Sequence, residues 1–198
     1  MISSISNFSY KHKLSVLLVL FTLALNAQST ETMLLGEISF NELQKAPYDS
    51  WYTTGQEEYE VDESKMDALK KALDSIEITV FMGTWCSDSQ REVPRFYKIM
   101  EATGYPMESI RLIAVDRDKT TPKKLEEGLD IKRVPTFIFY KWDEKGVIQE
   151  DELGEPNTEV GTSKVEVGRI VEYPIKSLET DMLDILSGAD YIHAYANQ

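Results

Sequence analysis

The sequence predicts an α/β fold with a central mixed sheet and helices on both faces, and three observations lead there. Short apolar, β-branched runs recur at 76–82, 110–115, 134–140 and 165–173. Stretches with helical apolar spacing separate the first three runs, while no such stretch lies between the last two. Parallel neighbours need a crossover, usually a helix, whereas antiparallel neighbours can follow one another directly, so this order implies a mixed sheet.

Along the chain, residues 1–27 carry Lys11 and Lys13, then an uncharged run to Leu25 and a small Ala27. They read as a secretory signal peptide, which places the mature protein in the periplasm or outside the cell. The run is short for a membrane span and no second one follows, so no membrane anchor is expected. Residues 28–62 are irregular in pattern but rich in aromatics (Phe40, Tyr48, Trp51, Tyr52, Tyr59). Leaving so many rings in water is costly, and they read as an extension packed on the domain. The domain itself is assigned to residues 63–188.

Ser64 can cap a first helix in which Met66, Leu69 and Leu73 share a face. The strand at 76–82 follows, then a helix carrying Val93, Phe96, Tyr97 and Met100 on one stripe, with Pro94 expected to kink it. After the strand at 110–115, Thr121 and Pro122 can open a short third helix reaching Gly128. The strand from Val134 begins with a proline, and the last strand has Gly168 in its interior. Residues 143–164 are longer than a tight turn needs and read as a loop insertion or flared hairpin. Ser177 caps a final helix through Leu178, Met182, Ile185 and Leu186 that Gly188 ends. Residues 189–198 read as a tail.

A net charge of −13, which becomes more negative by two once the lysines of the signal are removed, argues against a nucleic-acid partner. The single cysteine, Cys86, excludes an internal disulfide. A free thiol in an oxidising compartment is itself informative, although a buried, inert cysteine is the competing reading. Cys86 falls where a strand gives way to a helix. The first turn of a helix offers unpaired N–H groups and partial positive charge, which favour a thiolate, while Asp88 opposes this. His193 has no ligand-like neighbours in sequence, so no metal and no other cofactor is expected.

Trp85-Cys86-Ser87-Asp88-Ser89, then Pro94, then Val134-Pro135-Thr136, stand in an order that resembles the thioredoxin family from about Ile76 to Leu186. The stretch Met82-Gly83-Thr84-Trp85-Cys86 with Asp88-Ser89 is similar to a group of secreted bacterial thioredoxin-like proteins that keep only the first cysteine. The resemblance implies a thioredoxin-like fold and a cis-proline at Pro135 facing the Cys86 thiol. It also implies a peptide groove at Val134 and Pro135, with Trp85 shielding the sulfur or filling core. The family's second cysteine is Ser89 here, placed to hydrogen-bond the sulfur, and the family's buried acid is Val80.

Without a resolving cysteine the chain cannot complete a dithiol cycle alone. The leading expectation is a monothiol exchanging with disulfides or thiols of envelope proteins or small thiols, with Cys86 and Ser89 catalytic and Ser87 and Asp88 modulating. A redox-inactive module binding a peptide through Trp85, Val134 and Pro135 is the alternative. A peroxide sensor ranks last, since no peroxidase-like threonine and arginine flank Cys86. Arg91 and Arg95 are expected to be solvated, and the chain to be a monomer.

Overall fold

The computed structural model describes residues 33–144, 147–150, 156–159 and 162–196. The signal-peptide assignment and parts of the extension, the 143–164 insertion and the tail lie outside the described residues. The elements run β1 (Gly36–Ile38), α1 (Phe40–Leu43), α2 (Asp49–Glu58), α3 (Glu63–Ala72), β2 (Ile76–Met82), α4 (Ser87–Thr103), β3 (Ile110–Ala114) and β4 (Thr136–Glu144). They continue as β5 (Val147–Glu150), β6 (Pro156–Glu159), β7 (Thr162–Val171) and α5 (Leu178–Leu186).

Five strands form one mixed sheet in the order β1-β3-β2-β4-β7. Strand β2 lies at its centre, parallel to β3 and antiparallel to β4, which is why all but one of its residues are buried. Strands β4 and β7 pair antiparallel from Thr136↔Val171 out to Glu144↔Thr162, and β5 pairs with β6 in a separate ribbon.

The pleat sends Ile78, Val80, Met82, Leu112, Phe137, Phe139 and Ile170 into the larger core, which also receives the apolar faces of all five helices. Val80, at the family's buried-acid position, is simply part of this core. Phe81, Ile113, Ile138 and Tyr140 point to the other face.

That second face departs from the expected helical cover. Leu125, Leu129 and Ile131 pack on it from a segment that forms turns instead of the helix expected from Thr121. The Thr121 hydroxyl accepts from Leu125 N and donates to Glu126, and Lys124, Gly128 and Asp130 all have positive φ. Left-handed residues at this spacing cannot propagate a right-handed helix.

Residues 33–62 contain more regular structure than their composition predicts: β1 adds to the sheet edge, and α1 and α2 deliver Phe40, Leu43, Tyr48 and Tyr52 to the core. Gly55 of α2 meets Pro94 of α4; a Cβ at Gly55 would lie 2.5 Å from the proline ring, so the close approach requires glycine. Helix α4 runs on through Pro94. Helix α3 is capped by Asp62 rather than Ser64, the carboxylate accepting from the Ser64 amide. Ser177 caps α5 through Thr180 N, and Gly188 beyond it has φ +74.

Burial drives the phenols of Tyr52, Tyr59 and Tyr191 well above the usual range, with Glu179 adding to the effect at Tyr59 and Asp181 at Tyr191. A raised folded-state value means that the protonated phenol is the form the fold holds. Its contribution is fully present below the unfolded value of about 10 and is lost as pH climbs above it. Stability is expected to fall by about 1.4 kcal/mol per pH unit above that point for Tyr52 alone. Tyr59 and Tyr191, half-buried and partly screened, contribute less. Urea denaturation from about pH 9 to pH 12 checks this against Tyr52→Phe, whose slope should be shallower.

Candidate functional site

At the end of β2 the chain turns through Gly83 and Thr84, and Cys86 becomes the N-cap of α4 with extended backbone angles. Two backbone bonds fix the corner: Cys86 N donates to Gly83 O (2.9 Å), and Gln90 N donates to Cys86 O (2.9 Å). The Trp85 indole donates to Val115 O at 2.9 Å, pinning the ring beside the thiol. A Cβ at Gly83 would stand 2.6 Å from that ring, so a glycine is what lets Trp85 fold back.

Across from this corner, the Val134-Pro135 peptide is cis. The loop is held by Thr136 Oγ1 donating to Arg133 O and by Glu172 N donating to Pro135 O, both at 2.7 Å. Cys86, half-buried, donates its thiol hydrogen to Val134 O at 3.1 Å. Residues 86 and 134, 48 positions apart, thus meet directly. A carbonyl can accept only from the protonated sulfur, so the thiol must leave Val134 O to act as a nucleophile.

The residues along the first turns of α4 make contacts of their own. Ser89 is fully buried and its hydroxyl accepts from Gly83 N (3.1 Å), so it braces the corner rather than bonding the sulfur. Asp88 pairs with Arg91 at 2.7 Å, which turns its charge along the helix surface. Arg91 and Arg95 are not merely solvated: both bond the buried Glu92, and Arg95 also lies over the Tyr59 ring. Ser87 is exposed beside the thiol.

Trp85, Cys86 and Val134 line a cleft of roughly 800 Å³. Its far wall includes His193, Tyr195 and Ala196, from the segment read in sequence as a tail. Arg133 stacks on the Tyr195 ring at 3.8 Å and pairs with Glu172 at 3.3 Å, tying this segment to the proline loop. The density of aromatics in Tyr191-Ile192-His193-Ala194-Tyr195 was the available signal for an ordered wall. Burial, then Arg169, holds His193 below the ordinary imidazole range, and its Nδ1 accepts from Tyr195 N. Among the described residues no cluster of His, Cys, Asp and Glu could hold a metal ion, and no helix is long and apolar enough to cross a membrane.

A cysteine capping the helix after a central strand, faced by a cis-proline loop, defines the thiol corner of a thioredoxin-like fold. The sequence matches the thioredoxin family over residues 39–159, and the chain belongs to that family. The match begins well before Ile76, taking in α1 to α3. A thioredoxin from Ictalurus punctatus is 33% identical over 78 residues, covering 39% of this chain and 69% of that protein. A crystal structure of a protein of unknown function from Pseudomonas aeruginosa aligns over 77% of this chain and 93% of its own, with 16% identity and a TM-score of 0.45. Membership supports a thiol–disulfide type of function in general terms.

Proposed function

We propose that the mature chain is a periplasmic or secreted monothiol that exchanges with disulfides of envelope proteins or small molecules through Cys86. The observation that carries this reading is a half-buried, solvent-reachable thiol at a helix start, on the wall of a cleft and directly against Val134. In the reaction, Cys86 loses its proton to solvent as it leaves Val134 O, and its sulfur attacks one sulfur of a disulfide. A Cys86–substrate bond forms, the original S–S bond breaks, and the second sulfur departs as a thiolate that takes up a proton. An external thiol, either a small molecule or a second thiol of the substrate, then attacks the mixed disulfide and returns Cys86. Trp85, Val134 and Pro135 form the surface on which the substrate rests.

The bond from the thiol to Val134 O favours one competing reading, a redox-inactive module that binds a peptide in the same cleft. Reaction of the intact protein with dithiodipyridine at neutral pH separates the two. Exchange faster than that of free cysteine is the expected result; exchange slower than free cysteine would leave only the binding module.

A further inference from the structure

The cleft wall gathers cations that the composition of so acidic a chain would not suggest. Overall the protein is strongly acidic, yet four cations, Lys119, Lys132, Arg133 and Arg169, line the cleft against two carboxylates, Asp130 and Glu172. Arg117 adds a fifth positive group at its edge, 5.1 Å from the centre of the Trp85 ring, with the Lys119 ammonium at 6.0 Å from that ring. The cations therefore sit on both sides of Cys86, at Trp85 on one side and beside Val134 on the other.

Their placement is built. The Asp116 carboxylate accepts from Asp118 N (2.9 Å) and Thr120 N (2.8 Å), organising the turn that presents Arg117 and Lys119. Arg133 is fixed by Tyr195 and Glu172, and Arg169 by Leu129 O and a two-pronged ion pair with Glu166 at 2.6 Å, so these two arginines are already matched by carboxylates and Lys119 and Lys132 are the cations that a ligand would engage. The Lys132–Asp130 pair is exposed on both sides, so solvent screens it and Lys132 can exchange Asp130 for another carboxylate at little cost. Tyr173, which is exposed, packs edge-on against the lining residue Tyr195, with ring centres 6.0 Å apart.

We infer that the disulfide partner of Cys86 is an acidic polypeptide segment, one that carries Asp or Glu on both sides of its cysteine. This rests on the exchange reading above and names its substrate class. Acidic flanks would meet the Lys119 and Lys132 sides of the cleft while the partner's disulfide lies over Cys86. Most other surfaces of so acidic a protein would repel the same segment, so the cleft steers it. The volume accommodates a few residues of chain, and the Trp85 and Tyr195 rings, with Tyr173 beside the latter, offer contacts that a small anion would not use.

The test compares rates of exchange of the intact protein with homodimeric disulfides of short peptides flanked by glutamates, by serines or by lysines, and with dithiodiglycolate. Each rate is divided by that of mercaptoethanol with the same disulfide, which removes the intrinsic reactivity of the probe. The glutamate peptide is expected to exceed the lysine peptide by about tenfold or more at low ionic strength, with the advantage shrinking in salt. In Lys119→Glu with Lys132→Glu, the ratio should move towards unity or reverse. Equal normalised rates for all three peptides would overturn the charge preference while leaving exchange intact. A dithiodiglycolate rate matching the glutamate peptide would overturn the polypeptide assignment in favour of a small anionic disulfide. No reaction with any probe would overturn exchange at Cys86 itself, and the substrate class with it.

Discussion

Replacing Asp181 with alanine is expected to lower the stability of the fold by about 2–3 kcal/mol, a large fraction of what a single domain of this size has. The side chain is fully buried at the start of α5. Its carboxylate accepts from Ile175 N, Lys176 N (3.1 Å) and the Tyr191 hydroxyl (3.0 Å). Alanine would strand these part-buried donors, and a donor without a partner costs more than the net value of the bond lost, though less where water reaches it, as beside the exposed Ile175 and Lys176. The consequence reaches the cleft, because Tyr191 leads into His193 and Tyr195 on its far wall. Tyr191→Phe separates the effects: it removes the tether but keeps the carboxylate on its two amides, and should cost about 1 kcal/mol. Urea denaturation followed by circular dichroism measures both variants, with the larger loss confined to Asp181→Ala.

Asp181 also shows what the sequence left hidden. The strands and the two long helices that flank Cys86 were legible because burial imposes a period on apolar residues, as in Ile76–Met82 and along Val93, Phe96 and Met100. An acid inside a fold has no such period. Nothing in the sequence sets Asp181, Glu179 and Glu92 apart from ordinary helix-surface charges, yet all three are buried against partners far along the chain or on neighbouring turns. Helix α2 was missed for a related reason. Its ring-rich sequence buries Tyr52 against Tyr97 and leaves Gly55 to Pro94, contacts that only α4 supplies. The turns at 121–130 erred in the other direction, with good local start signals overruled by left-handed residues at Lys124 and Asp130.

At the site, the junction of strand, cysteine and helix was legible as local pattern, and the proline loop only through the family resemblance. Which partners the side chains choose was not. Ser89 lies one turn from Cys86, which permits a bond to the sulfur, but its hydroxyl satisfies Gly83 N, an amide buried at the strand's end. The distribution of charge was equally invisible, because a net value of −13 says nothing of where the cations gather. Lys119, Lys132 and Arg169 come from three separate segments and meet only once β4 and β7 are paired.

If Cys86 exchanges as proposed, Ser89→Cys is expected to let the resulting mixed disulfide release its product unaided. The new sulfur would stand one helical turn after Cys86, where it can attack the Cys86–substrate bond; a disulfide forms between Cys86 and the introduced thiol, and the substrate leaves as a thiol. Turnover then needs a dithiol reductant to restore the pair, and insulin reduction with dithiothreitol should rise at least about tenfold over the parent chain, whose exchange depends on external thiol at each step. Sulfur accepts hydrogen bonds weakly, so Gly83 N loses most of its bond and stability should fall by about 1–2 kcal/mol. Ser89→Ala provides the control, sharing that loss without the sulfur. Gain in turnover by the cysteine variant alone would locate the missing step of the cycle at position 89, and equal, low turnover in both would mean that the Cys86 sulfur cannot be reached from the helix below it.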